Sequence, residues 1–288
     1  MGAAARVTML LGLMTGLLLL MAFAIGYLLG VSIFLTLTIA FAIAMSLNIF
    51  VYWYADKWVL KMYKAKIVSE SQEPELHEII GRLAAEAGLP KPKVALVEMD
   101  APNAFATGRN PSHAVVAVTT GAKRLLNKDE LEGVIGHELT HITNKDMLVG
   151  TVAAMVAGAI TYVALAGRFA MYSGDRRDSR ASALAILAVF LVPFAAMLIR
   201  LSISRTREYG ADEGGAKLSH KPKALASALQ TLEENAKKQP ARKGNPATSH
   251  MFIVNPFRGA SVVEAFMTHP LTSKRIQRLE EMAASGEF

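Results

Sequence analysis

Apolar and polar residues are unevenly spread along this chain. Residues 7–55 carry no charged side chain between Arg6 and Asp56. That run accommodates two membrane-spanning helices of about 20 residues each, with Gly26, Gly30 and Ser32 suited to the turn between them. Two further uncharged runs, residues 147–167 and 181–199, are each about one bilayer crossing long at ~1.5 Å rise per residue. Elsewhere the pattern is that of a folded polar-surfaced domain. In PELHEIIGRLAAEAGLP, Leu76, Ile79, Ile80, Leu83, Ala84 and Ala87 recur at helical spacing, with Pro74 in the first turn and Gly88 and Pro90 past the end. KVALVEM and HAVVAVTT read as Val-rich strands, and NAFATGRNPS between them as a short strand and turn. NKDELEGVIGHELTHI predicts a helix capped by Asn127 and Glu130, with Leu131, Ile135, Leu139 and Ile142 along its apolar face. Pro222 to Lys238 and Thr272 to Ala284 predict two more helices, separated by the basic loop KKQPARKGNPATS.

These elements divide the chain into four pieces: a transmembrane hairpin at 1–55, a mixed segment at 56–146, a second apolar hairpin at 147–199 and a polar segment at 200–288. The first apolar run exceeds the roughly 7–15 residues of a signal-peptide core and lacks a small-residue cleavage site, so it reads as an anchor. The tip of the second hairpin carries Arg168, Arg176, Arg177 and Arg180. Either the hairpin spans against the positive-inside trend, or it is embedded from the cytosolic side; the segment lengths favour spanning.

The formal net charge of +7 does not point to nucleic acid. Lys57, Lys61, Lys64 and Lys66 follow the second predicted span and mark its cytosolic end, and Arg6 falls on the same side. The chain has no cysteine. Disulfide scaffolds, thiolate metal sites and cysteine nucleophiles are therefore excluded, and any metal must be held by His, Asp or Glu.

The stretch GHELTHITNKD supplies such a set. On a helix, positions i and i+4 share a face, so His137 and His141 can address one metal ion. Glu138 is turned by about 100° from His137 and can reach a metal-activated water without being a ligand. Catalytic zinc needs a third protein ligand. Asn144 and Met147 exclude a third histidine nearby, and no acid occurs between Asp146 and Asp175. If the second hairpin packs antiparallel, SRTREYGADEGG returns to the same side. Glu208 then lies about 12 Å beyond Arg200 and His141 about 9 Å before Met147 at helical rise, which makes Glu208 the third ligand. The alternative is a solvated glutamate paired with Arg205 or Lys217. Asp212, one turn on, is placed to hydrogen-bond a ligand histidine. A zinc-stabilised scaffold without turnover has no need of Glu138. Cleavage deep within the bilayer conflicts with Asn144, Lys145 and Asp146 before the apolar run.

HELTHITNKD, an apolar hairpin and then SRTREYGAD resemble the HtpX family of membrane-bound zinc metalloproteases, relatives of the CAAX prenyl protease. NAFATG, DELEGVIGHE, FIVNPF and THPLTSKRI agree in order, so the resemblance runs from the first span to about residue 280. It implies an α+β, mostly helical membrane protein with four transmembrane helices and a cytosolic zincin-like metalloprotease domain with a small sheet. It also implies one catalytic Zn2+ on His137, His141 and Glu208, Glu138 as general base, and Asp212 as the acid beside the ligands. Asn103, Ala104, Phe105 and Ala106 match a segment that lies beside the substrate. His269 matches a histidine that helps polarise the scissile carbonyl, with Arg275 near it. The implied setting is a bacterial or archaeal plasma membrane with the site facing the cytosol. The implied partners are misfolded or unfolded membrane proteins, the lipid bilayer and other membrane quality-control proteases, with no nucleic acid, in a stress response.

Overall fold

A computed structural model describes residues 3–156, 205–239, 251–255, 271–286 and 288. Helices α1 (Ala3–Leu29) and α2 (Ile33–Met62) form the expected hairpin. Gly30 turns it with φ +64°, a backbone region that costs other residues a clash, and the Ser32 side chain accepts from Leu35 N at the start of α2. Each helix contains a stretch apolar and long enough to cross a membrane, Ala5–Phe23 and Ile33–Met62. Little of either stretch is covered by the rest of the chain: Leu20, Phe23 and Phe34 are 65%, 46% and 81% exposed. An exposed apolar belt of this size is untenable in water and natural in lipid. A polar link inside the hairpin is Asn48 Nδ2 donating to Thr15 Oγ1 at 2.9 Å.

At the end of α2, Tyr52, Trp53 and Tyr54 precede Lys57 and Lys61, the order of an interfacial aromatic belt followed by a basic flank. The chain then enters a four-stranded sheet of order β1-β2-β4-β3. Its strands are β1 (Lys66–Ile67), β2 (Lys93–Val97), β3 (Ala104–Thr107) and β4 (Val115–Thr119). β2 runs parallel to β4, while β1 and β3 are antiparallel outer strands. β4 is buried at every position, which is why it reads as a continuous apolar run rather than an alternation. One face of the sheet packs on α3 (Pro74–Glu86) and the helices beyond it, through Leu76, Ile80, Leu83, Val94 and Val116. The other face meets the end of α2 through Val59, Ala95, Val97, Phe105 and Ala117.

The short helix α4 (Thr120–Leu125) follows β4 directly and is not signalled by periodicity. Thr119 caps it by accepting from Ala122 N. Gly121 allows the approach of Asp100, whose carbonyl oxygen would lie 2.1 Å from an added Cβ. α5 (Lys128–Thr143) carries the capping box: Asn127 Oδ1 accepts from Glu130 N, and Glu130 Oε2 from Asn127 N, both at 3.0 Å. α6 (Met147–Val156) begins at once. Val149, Val152, Met155 and Val156 pack it against Val7 and Leu10 of α1 and Val51 and Ala55 of α2. The rest of the expected second hairpin lies outside the described residues. α7 (Arg205–Ser219), α8 (Pro222–Lys238) and α9 (Thr272–Ser285) complete the described helices. They enclose α5 through Leu225, Leu229, Leu232 and Leu279.

Candidate metal centre

α5 is buried along almost all of its last three turns, so its polar residues face the interior. His137 and His141 stand one turn apart, with their Nε2 atoms 3.2 Å from each other. α7 crosses α5 closely enough to bring Glu208 to them: Oε2 is 3.8 Å from His137 Nε2 and Oε1 is 3.8 Å from His141 Nε2. Glycines permit the crossing. An added Cβ on Gly215 would lie 2.5 Å from His137 N, and one on Gly214 would lie 2.4 Å from Thr140 Cγ2. Among the described residues, His137, His141 and Glu208 are the group able to offer three ligand atoms, all within 4.8 Å of one another.

Each histidine has a carboxylate behind it. Asp212 Oδ1 is 3.0 Å from His137 Nδ1, somewhat off the line of an N–H. Asp146 Oδ2 is 3.8 Å from His141 Nδ1. With a proton on each Nδ1 facing its carboxylate, each Nε2 presents a lone pair. Two lone pairs facing across 3.2 Å repel unless a cation lies between them. Two ligands on a tetrahedral metal at bond lengths of about 2.0–2.1 Å stand about 3.4 Å apart. The donor set and its spacing therefore fit a divalent metal.

Asp212 is held in turn by Arg275, whose Nε donates to Oδ2 at 2.7 Å and Nη2 to Oδ1 at 2.6 Å. Arg275 Nη1 donates to the Ile253 carbonyl at 2.8 Å and lies 3.8 Å from Glu208 Oε2. Arg275, which the resemblance groups with the substrate-binding residues near His269, lies inside the chain. The side chain is 2% exposed behind Asp212, and its donors are committed to the chain itself. His269 lies outside the described residues.

Glu138 points into the cleft over the two histidines. Its Oε2 accepts from Ala106 N at 2.9 Å. The register explains that bond. Asn103 O accepts from Thr119 N, so residues 103, 105 and 107 face β4, and the backbone groups of Ala104 and Ala106 face the outer edge. The Asn103 amide is engaged within the chain: Nδ2 donates to Met251 O at 3.3 Å, and Oδ1 accepts from Ile253 N at 3.2 Å. It fastens the segment 251–255 beside β3, where Met251, Phe252 and Ile253 join Phe105 and Ala106 in lining the cleft. Phe105 packs on Tyr63, ring centroids 5.1 Å apart.

Burial pushes the Glu138 carboxyl above the usual range, and Glu208 adds to this, against the pull of His137, His141 and the Ala106 N–H. Burial lowers His141, but Asp146, Glu208 and Glu138 together leave it raised. Burial likewise opposes the ionised form of Asp212. The Arg275 guanidinium and His137 outweigh it and hold Asp212 well below the carboxylate range. The site is thus polarised, with an ionised Asp212 behind the histidines and a proton-ready Glu138 in front.

Residues 70–283 match the family described as Peptidase family M48. This chain belongs to peptidase family M48. Among its relatives, the Protease HtpX homolog of Pyrococcus furiosus is 54% identical over 281 residues, covering 96% of this chain and 95% of that one. Those of Salinibacter ruber and Methanocaldococcus jannaschii are 50% and 47% identical, covering 84% and 92% of this chain and 86% and 95% of theirs. The crystal structure of S. mikatae Ste24p matches at a TM-score of 0.49 with 17% identity, over 92% of this chain and 62% of that one. As an M48 peptidase among the HtpX proteases, the protein is a membrane metallopeptidase.

Asp146 and the latch made by Asn103 are the site features that sequence reasoning missed. Asp146 was legible only as charge before an apolar run. Asn103 was legible as part of NAFATG but not as a residue that grips partners 148 and 150 positions further along the chain.

Proposed function

We propose that this chain is an integral-membrane zinc endopeptidase that cuts misfolded or damaged membrane proteins at a site facing the cytosol. The convergence of His137, His141 and Glu208, with Glu138 fixed beside them by Ala106 N, carries the reading. Zinc held by these three residues supplies a Lewis acid that polarises the scissile carbonyl and activates water. The chain's own groups do the rest. Ala106 N–H occupies Glu138 Oε2, leaving Oε1 to take a proton from the attacking water and pass it to the leaving amine. The outward backbone groups of Ala104 and the outward carbonyl of Ala106 offer an edge to an extended peptide, which recognises main chain more than side chains. His269 is assigned to the developing oxyanion. Asp212, clamped by Arg275, keeps His137 oriented.

The membrane setting has its own support. Arg6 at the start of α1 and Lys57, Lys61 and Lys64 at the end of α2 lie at the same end of the hairpin as the site, and basic flanks favour the cytosolic side. Tethering in one bilayer raises the effective concentration of membrane-protein substrates, including those handled alongside other quality-control proteases.

Co-reconstitution with an unfolded membrane protein and zinc tests the reading, with the Glu138→Gln variant beside the parent. The parent is expected to cleave, and the variant to lose about 10²- to 10⁴-fold in rate while retaining the same zinc content. Cleavage by the variant at the parent's rate would remove Glu138 from the chemistry. Equal cleavage of a soluble unfolded chain would remove the argument from tethering.

A further inference from the structure

We propose that Asp146 is a positioning residue for His141, and that Arg6 and Arg207 hold it, so that the start of the first apolar helix is tied to the metal centre. The inference rests on the metal site proposed above.

The end of α5 explains how Asp146 comes to be there. Lys145 N donates to Ile142 O at 3.0 Å, Asp146 N donates to His141 O at 2.9 Å, and Lys145 has φ +57°. These bonds make a Schellman motif, which turns the chain back on the helix and brings the side chain after the left-handed residue against the one at the third position from the helix end. Those two side chains are ordinarily apolar. Here they are Asp146 and His141. The left-handed position is filled by Lys145 rather than by Gly or Asn, so the motif is hidden in the sequence.

The surroundings fit a fixed acceptor. Asp146 is 8% exposed, and its Oδ1 lies 3.3 Å from Arg207 Nη1 and 3.5 Å from Arg6 Nη1. Arg207 therefore donates to this oxygen and Arg6 faces it as an ion pair without a hydrogen bond, while Oδ2 remains toward His141. His141 Nδ1 is buried and has no hydrogen-bond partner among the described residues. At 3.8 Å the approach of Oδ2 is electrostatic, longer than a hydrogen bond. It still favours the tautomer with the proton on Nδ1 and the lone pair on Nε2, as Asp212 does for His137. Arg6 lies in α1 and Arg207 in α7, one residue before Glu208. A single carboxylate thus joins the membrane hairpin, the helix of the histidines and the helix of the glutamate.

Asp146 also precedes the first turn of α6, where Gly150 N donates to its carbonyl at 3.2 Å. A helix-capping role alone is preserved by asparagine, which caps as well as aspartate. The deciding experiment measures zinc affinity of the full chain in detergent, stripped and then titrated with zinc against a chromophoric chelator. Asp146→Asn is expected to bind zinc about 10-fold more weakly, the low end of the usual loss when a carboxylate behind a ligand histidine is removed, because Oδ2 acts on Nδ1 without a hydrogen bond. Arg6→Gln is expected to weaken binding in the same direction and by less. It decides the matter if Asp146→Asn does not fold. Parent-like affinity in Asp146→Asn overturns the positioning role, and parent-like affinity in Arg6→Gln overturns the tie to α1. A parent that binds no zinc overturns the metal site itself.

Discussion

A guanidinium and a carboxylate buried side by side each lose several kcal/mol of hydration, which only a full set of hydrogen bonds offsets. Arg275 and Asp212 make two bonds to each other, and Arg275 makes a third to the Ile253 carbonyl. Replacing Arg275 by methionine strands Asp212 as an unpaired buried charge. The expected loss of stability is about 3–5 kcal/mol, read by chemical unfolding in detergent. The sign of its pH dependence follows from the depressed Asp212 pKa. A depressed carboxylate stabilises the fold above its unfolded pKa, about 3.9 for aspartate, and loses that contribution as pH falls toward the folded value. The gap between parent and Arg275→Met is therefore widest near neutrality and narrows as pH falls, because Asp212 in the variant, raised by burial and no longer held down by the guanidinium, takes up its proton first. A gap that is constant with pH would mean that Arg275 acts by packing alone. At this scale the sequence was unevenly legible. His137, Glu138 and His141 declare themselves because their roles depend on local spacing. Arg275 and Asn103 do not, because their roles depend on partners in distant segments.

At the scale of elements, the site exists because α5 and α7 cross at glycines. Gly136, Gly214 and Gly215 let the backbones approach until Glu208 reaches the histidines. Gly215→Ala places a methyl group 2.5 Å from His137 N. Overpacking of this kind costs about 1–3 kcal/mol and draws Glu208 away from the ligand set. Weaker zinc binding and a lower unfolding temperature are expected together. Gly210→Ala on the same helix meets nothing within 4 Å, so it is the control expected to leave both measurements unharmed. The elements themselves were largely readable. The Asn127–Glu130 capping box, the Pro74 start of α3 and the Val-rich β2 and β4 are local signals. α4 was missed because six residues carry too little periodicity to register. The crossing of α5 and α7 appeared in the sequence only as an inference that two apolar runs return the chain to one side.

Across the whole molecule, an apolar hairpin open to lipid and a polar domain meet at one basic boundary. α6 packs into the base of α1 and α2, and it starts where the helix of the histidines ends. His137, His141 and Glu208 therefore stand at the basic end of the hairpin, and Asp146 is a polar residue at that junction. Anomalous diffraction at the zinc edge, on crystals of the zinc-loaded protein, tests this account most directly. One peak is expected, at about 2.0–2.2 Å from His137 Nε2, His141 Nε2 and a Glu208 carboxylate oxygen. A peak placed elsewhere, or one bound by the histidines with Glu208 turned away, would contradict it.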